Sequence, residues 1–178
     1  MIDRQEVFIK HGDPVFLKNG VKLEVSASIA SRPSAILISA ENGTIEIPSF
    51  TDSQINNKFE LMPIFEVVYW NDIAIIVGLP SIVIVYEKKL LKIDLFRKAT
   101  DDSGFYAIEW LEDDDRLFCI YEGGIISFNR HGEILWHIQK AWDDIFTSFE
   151  NGDFILMEPD GKIIGIDSSN GFRKTKRN

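Results

Sequence analysis

The chain has 178 residues and carries 28 Asp and Glu against 19 Lys and Arg, a formal charge of −9. With 45% hydrophobic and 26% charged residues it is a folding sequence rather than a disordered one, long enough for one good core or two small ones. The negative charge argues against a nucleic-acid partner, and no apolar run reaches the roughly 18 residues of a membrane span, the densest stretch being cut by Gly78 and Pro80.

The first residues, Met1-Ile2-Asp3-Arg4-Gln5-Glu6, lack the basic start and apolar core of a secretory signal. A single cysteine, Cys119, allows no intrachain disulfide, so a reducing, cytoplasmic setting is expected, with no membrane partner. The apolar stock is β-branched and aromatic, with 26 isoleucines and 21 aromatic residues against eight alanines. Such side chains suit a pleated sheet, and no window of a dozen residues keeps a clean helical period. One all-β domain over residues 1–178 is therefore expected.

In chain order, residues 3–17 read as an edge hairpin turning through His11-Gly12-Asp13-Pro14 and closing by residue 20. A strand begins near Lys22, and Ala35-Ile36-Leu37-Ile38-Ser39-Ala40 and Thr44-Ile45-Glu46-Ile47 flank Asn42-Gly43, the strongest hairpin signal in the chain. Residues 64–69, 73–77, 82–86 and 90–95 follow as four strands, and the runs at 73–77 and 82–86 are apolar on both faces, as in stacked sheets. Further turns fall at Asn19-Gly20, Asn71-Asp72, Gly78-Leu79-Pro80, Gly123-Gly124, His131-Gly132, Asn151-Gly152, Asp160-Gly161 and Asn170-Gly171, each read as a position of positive φ or fixed proline φ. Connections of two to four residues are too short for crossover helices, so the strands pair antiparallel.

The strand groups repeat. Residues 153–167 fall on 115–129 strand for strand, turn for turn, and the groups start near residues 22, 64, 105 and 145. Four-stranded units about forty residues apart are the mark of β-propeller blades. The expected fold is thus an antiparallel meander of about four four-stranded repeats, propeller-like or an open curved stack of sheets. The stretch Gly124-Ile125-Ile126-Ser127-Phe128-Asn129-Arg130-His131-Gly132-Glu133-Ile134-Leu135-Trp136 resembles the repeat of quinoprotein-type propellers, an apolar strand and polar turn closed by Gly-x-x-x-Trp. Gly165-Ile166-Asp167-Ser168-Ser169-Asn170-Gly171 follows the same pattern, with Thr175 where the tryptophan would stand. The resemblance covers about half the chain and implies architecture alone. Without the adjacent cysteines and the blade number of those enzymes, no quinone or other cofactor is expected. The basic stretch Arg173-Lys174-Thr175-Lys176-Arg177 reads as a solvated terminus whose charge would also protect a sheet edge.

Ordinary catalytic motifs are absent, and no catalytic residue is assigned. His11, His131 and His137 lack paired metal-ligand spacing, no carboxylate run matches a calcium loop, and no metal site is expected. Cys119, between Phe118 and Ile120, reads as a buried, inert thiol. The acidic turns carry more information. In a meander the second-to-third turns and the fourth-to-first connections share one end, which would gather Asp101, Asp102, Glu122, Asp143, Asp144 and Asp160, with Trp142 as a candidate aromatic anchor. Glu112, Asp113, Asp114, Asp115, Asp153 and Asp167 fall at the other end. Such an end favours a basic protein partner by electrostatic steering, in the manner of an immunity protein masking a basic toxin. A carboxylate-based hydrolase and a self-associating structural domain are the competing expectations.

Overall fold

The computed structural model describes residues 1–7, 13–25, 35–48, 65–78, 81–96 and 108–175. Of these, 67% lie in strands and none in a helix. The strands are β1 (Ile2–Val7), β2 (Val15–Phe16), β3 (Lys22–Val25), β4 (Ala35–Ala40), β5 (Gly43–Pro48), β6 (Phe65–Trp70), β7 (Ile73–Val77), β8 (Ser81–Tyr86) and β9 (Lys89–Asp94). They continue with β10 (Glu109–Asp113), β11 (Arg116–Tyr121), β12 (Gly124–Asn129), β13 (Ile134–Gln139), β14 (Ile145–Glu150), β15 (Asp153–Met157), β16 (Ile163–Asp167) and β17 (Arg173–Thr175). All pairings are antiparallel between chain neighbours except one, β1 on β6. Four sheets result, β2 to β5, β6 to β9 with β1 added, β10 to β13, and β14 to β17.

The chain divides into two compact units, Met1–Asp94 and Leu95–Asn178, each holding two sheets. In the first unit Leu23, Ile36, Ile38 and Ile47 pack against Val67, Ala74, Ile76, Val83 and Val85 of the neighbouring sheet. In the second, Phe118, Ile120 and Ile125 meet Phe154, Leu156, Ile164 and Ile166, with the Phe118 and Phe154 rings edge to face at 4.9 Å. Each buried Val, Leu, Ile or Phe among them contributes about 1.5–3 kcal/mol by leaving water. The doubly apolar runs behave as their composition demands, since Ile73 through Ile76 and Ile82 through Val85 are buried on both faces.

Two features depart from the sequence reading. Residues 3–20 do not form a hairpin, because β1 pairs with β6 and β2 with β3, in different sheets. The first four-stranded sheet therefore starts at Val15, not near Lys22, because the two-residue β2 supplies its missing strand. Arg173, Lys174 and Thr175 are also more than a solvated tail, since they form edge strand β17 on β16. There Lys174 Nζ lies 2.7 Å from both Asp153 Oδ1 and Asp167 Oδ2.

Candidate functional site

The end of the second unit where β11 turns into β12 is built around two glycines. Neither Gly123 nor Gly124 has positive φ, so the turn does not require them for the conformational reason read from the sequence. They are required by crowding. A Cβ on Gly123 would stand 2.6 Å from the Phe96 carbonyl oxygen and 3.1 Å from the Trp142 ring, and one on Gly124 only 2.4 Å from the Ile138 carbonyl oxygen. Into this space Tyr121 sends its hydroxyl, which accepts from the Phe96 amide at 3.0 Å and lies 2.8 Å from His137 Nε2. The Tyr121 hydroxyl therefore serves two partners at once, the Phe96 amide and the His137 ring. The Phe96 and His137 rings stack obliquely at 4.3 Å, and burial pushes the His137 pKa down, favouring its neutral form.

The β13 to β14 connection closes over the turn. Lys140 donates its amide to the Gly123 carbonyl at 3.1 Å, and its buried ammonium donates to the carbonyls of Asp144 at 2.7 Å and Ala141 at 3.3 Å. Burial lowers its pKa, while the carboxylates of Asp144, Glu122 and Asp143 act against that shift and hold the positive charge in place. Lys140 thus fixes the backbone of the β13 to β14 connection, with the carboxylates of Asp144, Glu122 and Asp143 in its neighbourhood.

The remaining expected residues fall as follows. Asp160 lies exposed in the β15 to β16 turn, at the end of its sheet where β14 begins, its carboxylate accepting from the Lys162 amide at 3.0 Å. Asp144 is 4% exposed, so its carboxylate belongs to the scaffold around Lys140 rather than to an open surface. Trp142 is half-buried against Gly123, a packing position more than a free anchor. Asp101 and Asp102 lie outside the described residues. The sequence reading missed Glu109, which faces Ile120 across β10 and β11 and so stands exposed at this same end. It also passed over Lys140, whose buried charge no local pattern announces.

At the opposite end four carboxylates are paired, while Asp114 and Glu150 are exposed and close no ion pair among the described residues. Asp113 pairs with Arg116 at 3.1 Å, Asp115 with Arg130, and Asp153 and Asp167 share Lys174. Among the described residues none of Glu122, Asp143 and Asp160 closes such an ion pair, although Glu158, close to Asp160, pairs with Lys162 and Arg173. Every described carboxylate with a clearly shifted pKa is shifted down: Glu41 by Lys88, Asp94 by the Ser81 hydroxyl and Asp167 chiefly by Lys174. Among the described residues no three His, Cys, Asp or Glu side chains are grouped to hold a metal ion, and no helix is long and apolar enough to cross a membrane. No family model matches the chain, and no curated protein matches it either.

Proposed function

We propose that this chain is a non-catalytic protein-binding module that takes a basic protein partner at the acidic end of its second unit, as an immunity- or inhibitor-type protein does. The carrying observation is that Glu122, Asp143 and Asp160 are exposed and, among the described residues, close no ion pair. Like charges held together cost folding stability, and a cation arriving from outside offsets that cost. The composition points the same way, since the second unit carries 16 acidic residues against ten Lys and Arg, or −6 of the total −9. The succession of four-stranded sheets supports a blade-like scaffold for this surface, of the propeller type that residues 124–136 resemble. The single buried Cys119 suits a reducing compartment such as the cytoplasm.

The test is capture of partners from native lysate by three proteins: the parent, the triple variant Glu122→Gln, Asp143→Asn, Asp160→Asn, and the control Asp114→Asn, Glu150→Gln at the opposite end. The parent and control are expected to retain one basic protein that the triple variant loses, and raising salt is expected to weaken the capture. An acidic partner, or equal loss from both variants, would overturn the reading.

A further inference from the structure

β1 is the one described strand that pairs with no neighbour in the chain, and its hold on the sheet is slight. It covers the edge of β6 in the register Ile2 to Trp70 through Val7 to Phe65. None of its six residues is buried, and Asp3, Arg4 and Glu6 are exposed. Val7 packs at the margin of the apolar cluster of the first unit. Seven residues, 8–14, separate β1 from β2, and β2 belongs to a different sheet. No hairpin therefore ties β1 to the strand it covers.

Charge both fastens this strand and loosens it. Arg4 forms an ion pair with Glu66, and Asp3 lies 3.2 Å from Lys18 Nζ, which stands over the Tyr69 ring at 5.1 Å from its centre. Arg4, Asp3 and Lys18 are 53%, 54% and 67% exposed, so water and salt weaken both pairs. Directly across the ladder Glu6 faces Glu66, and like charges set opposite each other work against strand pairing. What remains is the ladder of main-chain hydrogen bonds, which the same strand of another molecule makes equally well.

We infer that the edge of β6 is a strand-exchange site whose second ligand is β1 of another copy of this chain. Two copies that trade β1 keep each contact of the strand, Arg4 on Glu66 and Asp3 on Lys18 included, now made between copies. The trade costs only the freedom of two separate molecules, so protein concentration sets the balance, and the slight hold on β1 lets the strand move. The site belongs to the first unit and draws nothing from the acidic end of the second.

Charge reversal on the full chain is the test. In Arg4→Glu and in Glu66→Arg, each alone, positions 4 and 66 repel, and the β6 amides that point to β1 should exchange at least about ten-fold faster than in the parent, both proteins staying monomeric. When the two variants are mixed, only exchanged strands bring opposite charges together at both sites, the two reversed positions in one and the two parental residues in the other. With one variant isotopically heavy, native mass spectrometry should show the mixed dimer at least about ten-fold above either homodimer, and β6 should regain its protection. A mixture that stays monomeric, dimers equally abundant between like and unlike copies, or unchanged β6 protection in the single variants overturns the inference. A second measurement needs no charge reversal at the ion pair. Light and heavy parent chains should form mixed dimers at high concentration, and Glu6→Lys, which makes the like-charge pair attractive, should slow that mixing about ten-fold, because β1 must first leave β6. Parent chains that form no mixed dimer, or mixing that Glu6→Lys leaves as fast, also overturn it.

Discussion

At the scale of single residues, Ser127 is a hydroxyl in the wrong place. It is 0% exposed, sits between Phe118 and Trp136 across the sheet, and its Oγ has no hydrogen-bond partner. Removing an unpaired buried hydroxyl removes its desolvation cost, so Ser127→Ala should raise stability by about 1 kcal/mol in urea unfolding. A loss of that size would mean the oxygen is satisfied after all. Tyr121 is the opposite case, a buried hydroxyl serving two partners. Tyr121→Phe strands the Phe96 amide and His137 Nε2 and should cost about 1–3 kcal/mol. The same contact sets a pH dependence. His137 has a lowered pKa when folded, so below the unfolded value of about 6.5 the unfolded chain binds the extra proton and folding weakens; the contribution is whole above that value and lost as pH falls through the folded pKa. The urea midpoint should therefore drop between about pH 7.5 and pH 5, and His137→Gln should flatten the drop. An unchanged slope in that variant would place the titration elsewhere. Asp94 and Asp167, lowered by their partners, lose their contributions only in the more acid range of carboxylates.

At the scale of elements, the turns decide which parts could be read ahead. Three hairpins share one geometry, in which the first residue accepts from a glycine three places on and donates to the carbonyl four places on: Leu17 to Val21, Asn129 to Glu133 and Glu158 to Lys162. Gly20, Gly132 and Gly161 have φ of 80°, 73° and 84°, a left-handed position that a side chain resists, and all three announce themselves as Asn-Gly, His-Gly or Asp-Gly. The β8 to β9 turn does not. Glu87 and Lys88 both have positive φ, at 45° and 62°, the conformation Asn151-Gly152 reaches with residues made for it. Only the apolar runs on either side disclosed that hairpin. Replacing Glu87→Asn and Lys88→Gly should accordingly stabilise the chain by about 1 kcal/mol, since the exposed Lys88–Glu41 ion pair that is lost contributes little. A lower urea midpoint would show that the ion pair matters more than the backbone. β1 was illegible for another reason: its partner lies some sixty residues away, and no local pattern encodes so distant a register. Gly123 and Gly124 were noticed but misread, because crowding by a neighbour's backbone leaves no trace in a dipeptide.

At the scale of the whole molecule, attraction and repulsion between charges oppose each other. The chain carries −9, while its ion pairs, among them Arg4–Glu66, Lys92–Asp94 and Lys174–Asp153, lie at or near the surface, where each contributes little. Repulsion between carboxylates is spread over many pairs, the second unit carrying twice the net charge of the first. Net repulsion predicts that salt stabilises the fold. Cys119 reports it without added probes, because its thiol is fully buried on β11 in the more acidic unit and reacts only when that strand opens. A thiol reagent should label it slowly in the native protein and quickly in denaturant. At fixed, sub-denaturing urea the labelling should slow as salt rises from about 0.05 M to about 0.5 M and the Debye length shrinks below about 10 Å. Capture of a basic partner should weaken over the same range, so that one variable moves folding and binding in opposite directions. Labelling that quickens with salt would mean that the ion pairs outweigh the repulsion, and the outward-facing carboxylates would then no longer stand as a folding cost that a partner relieves.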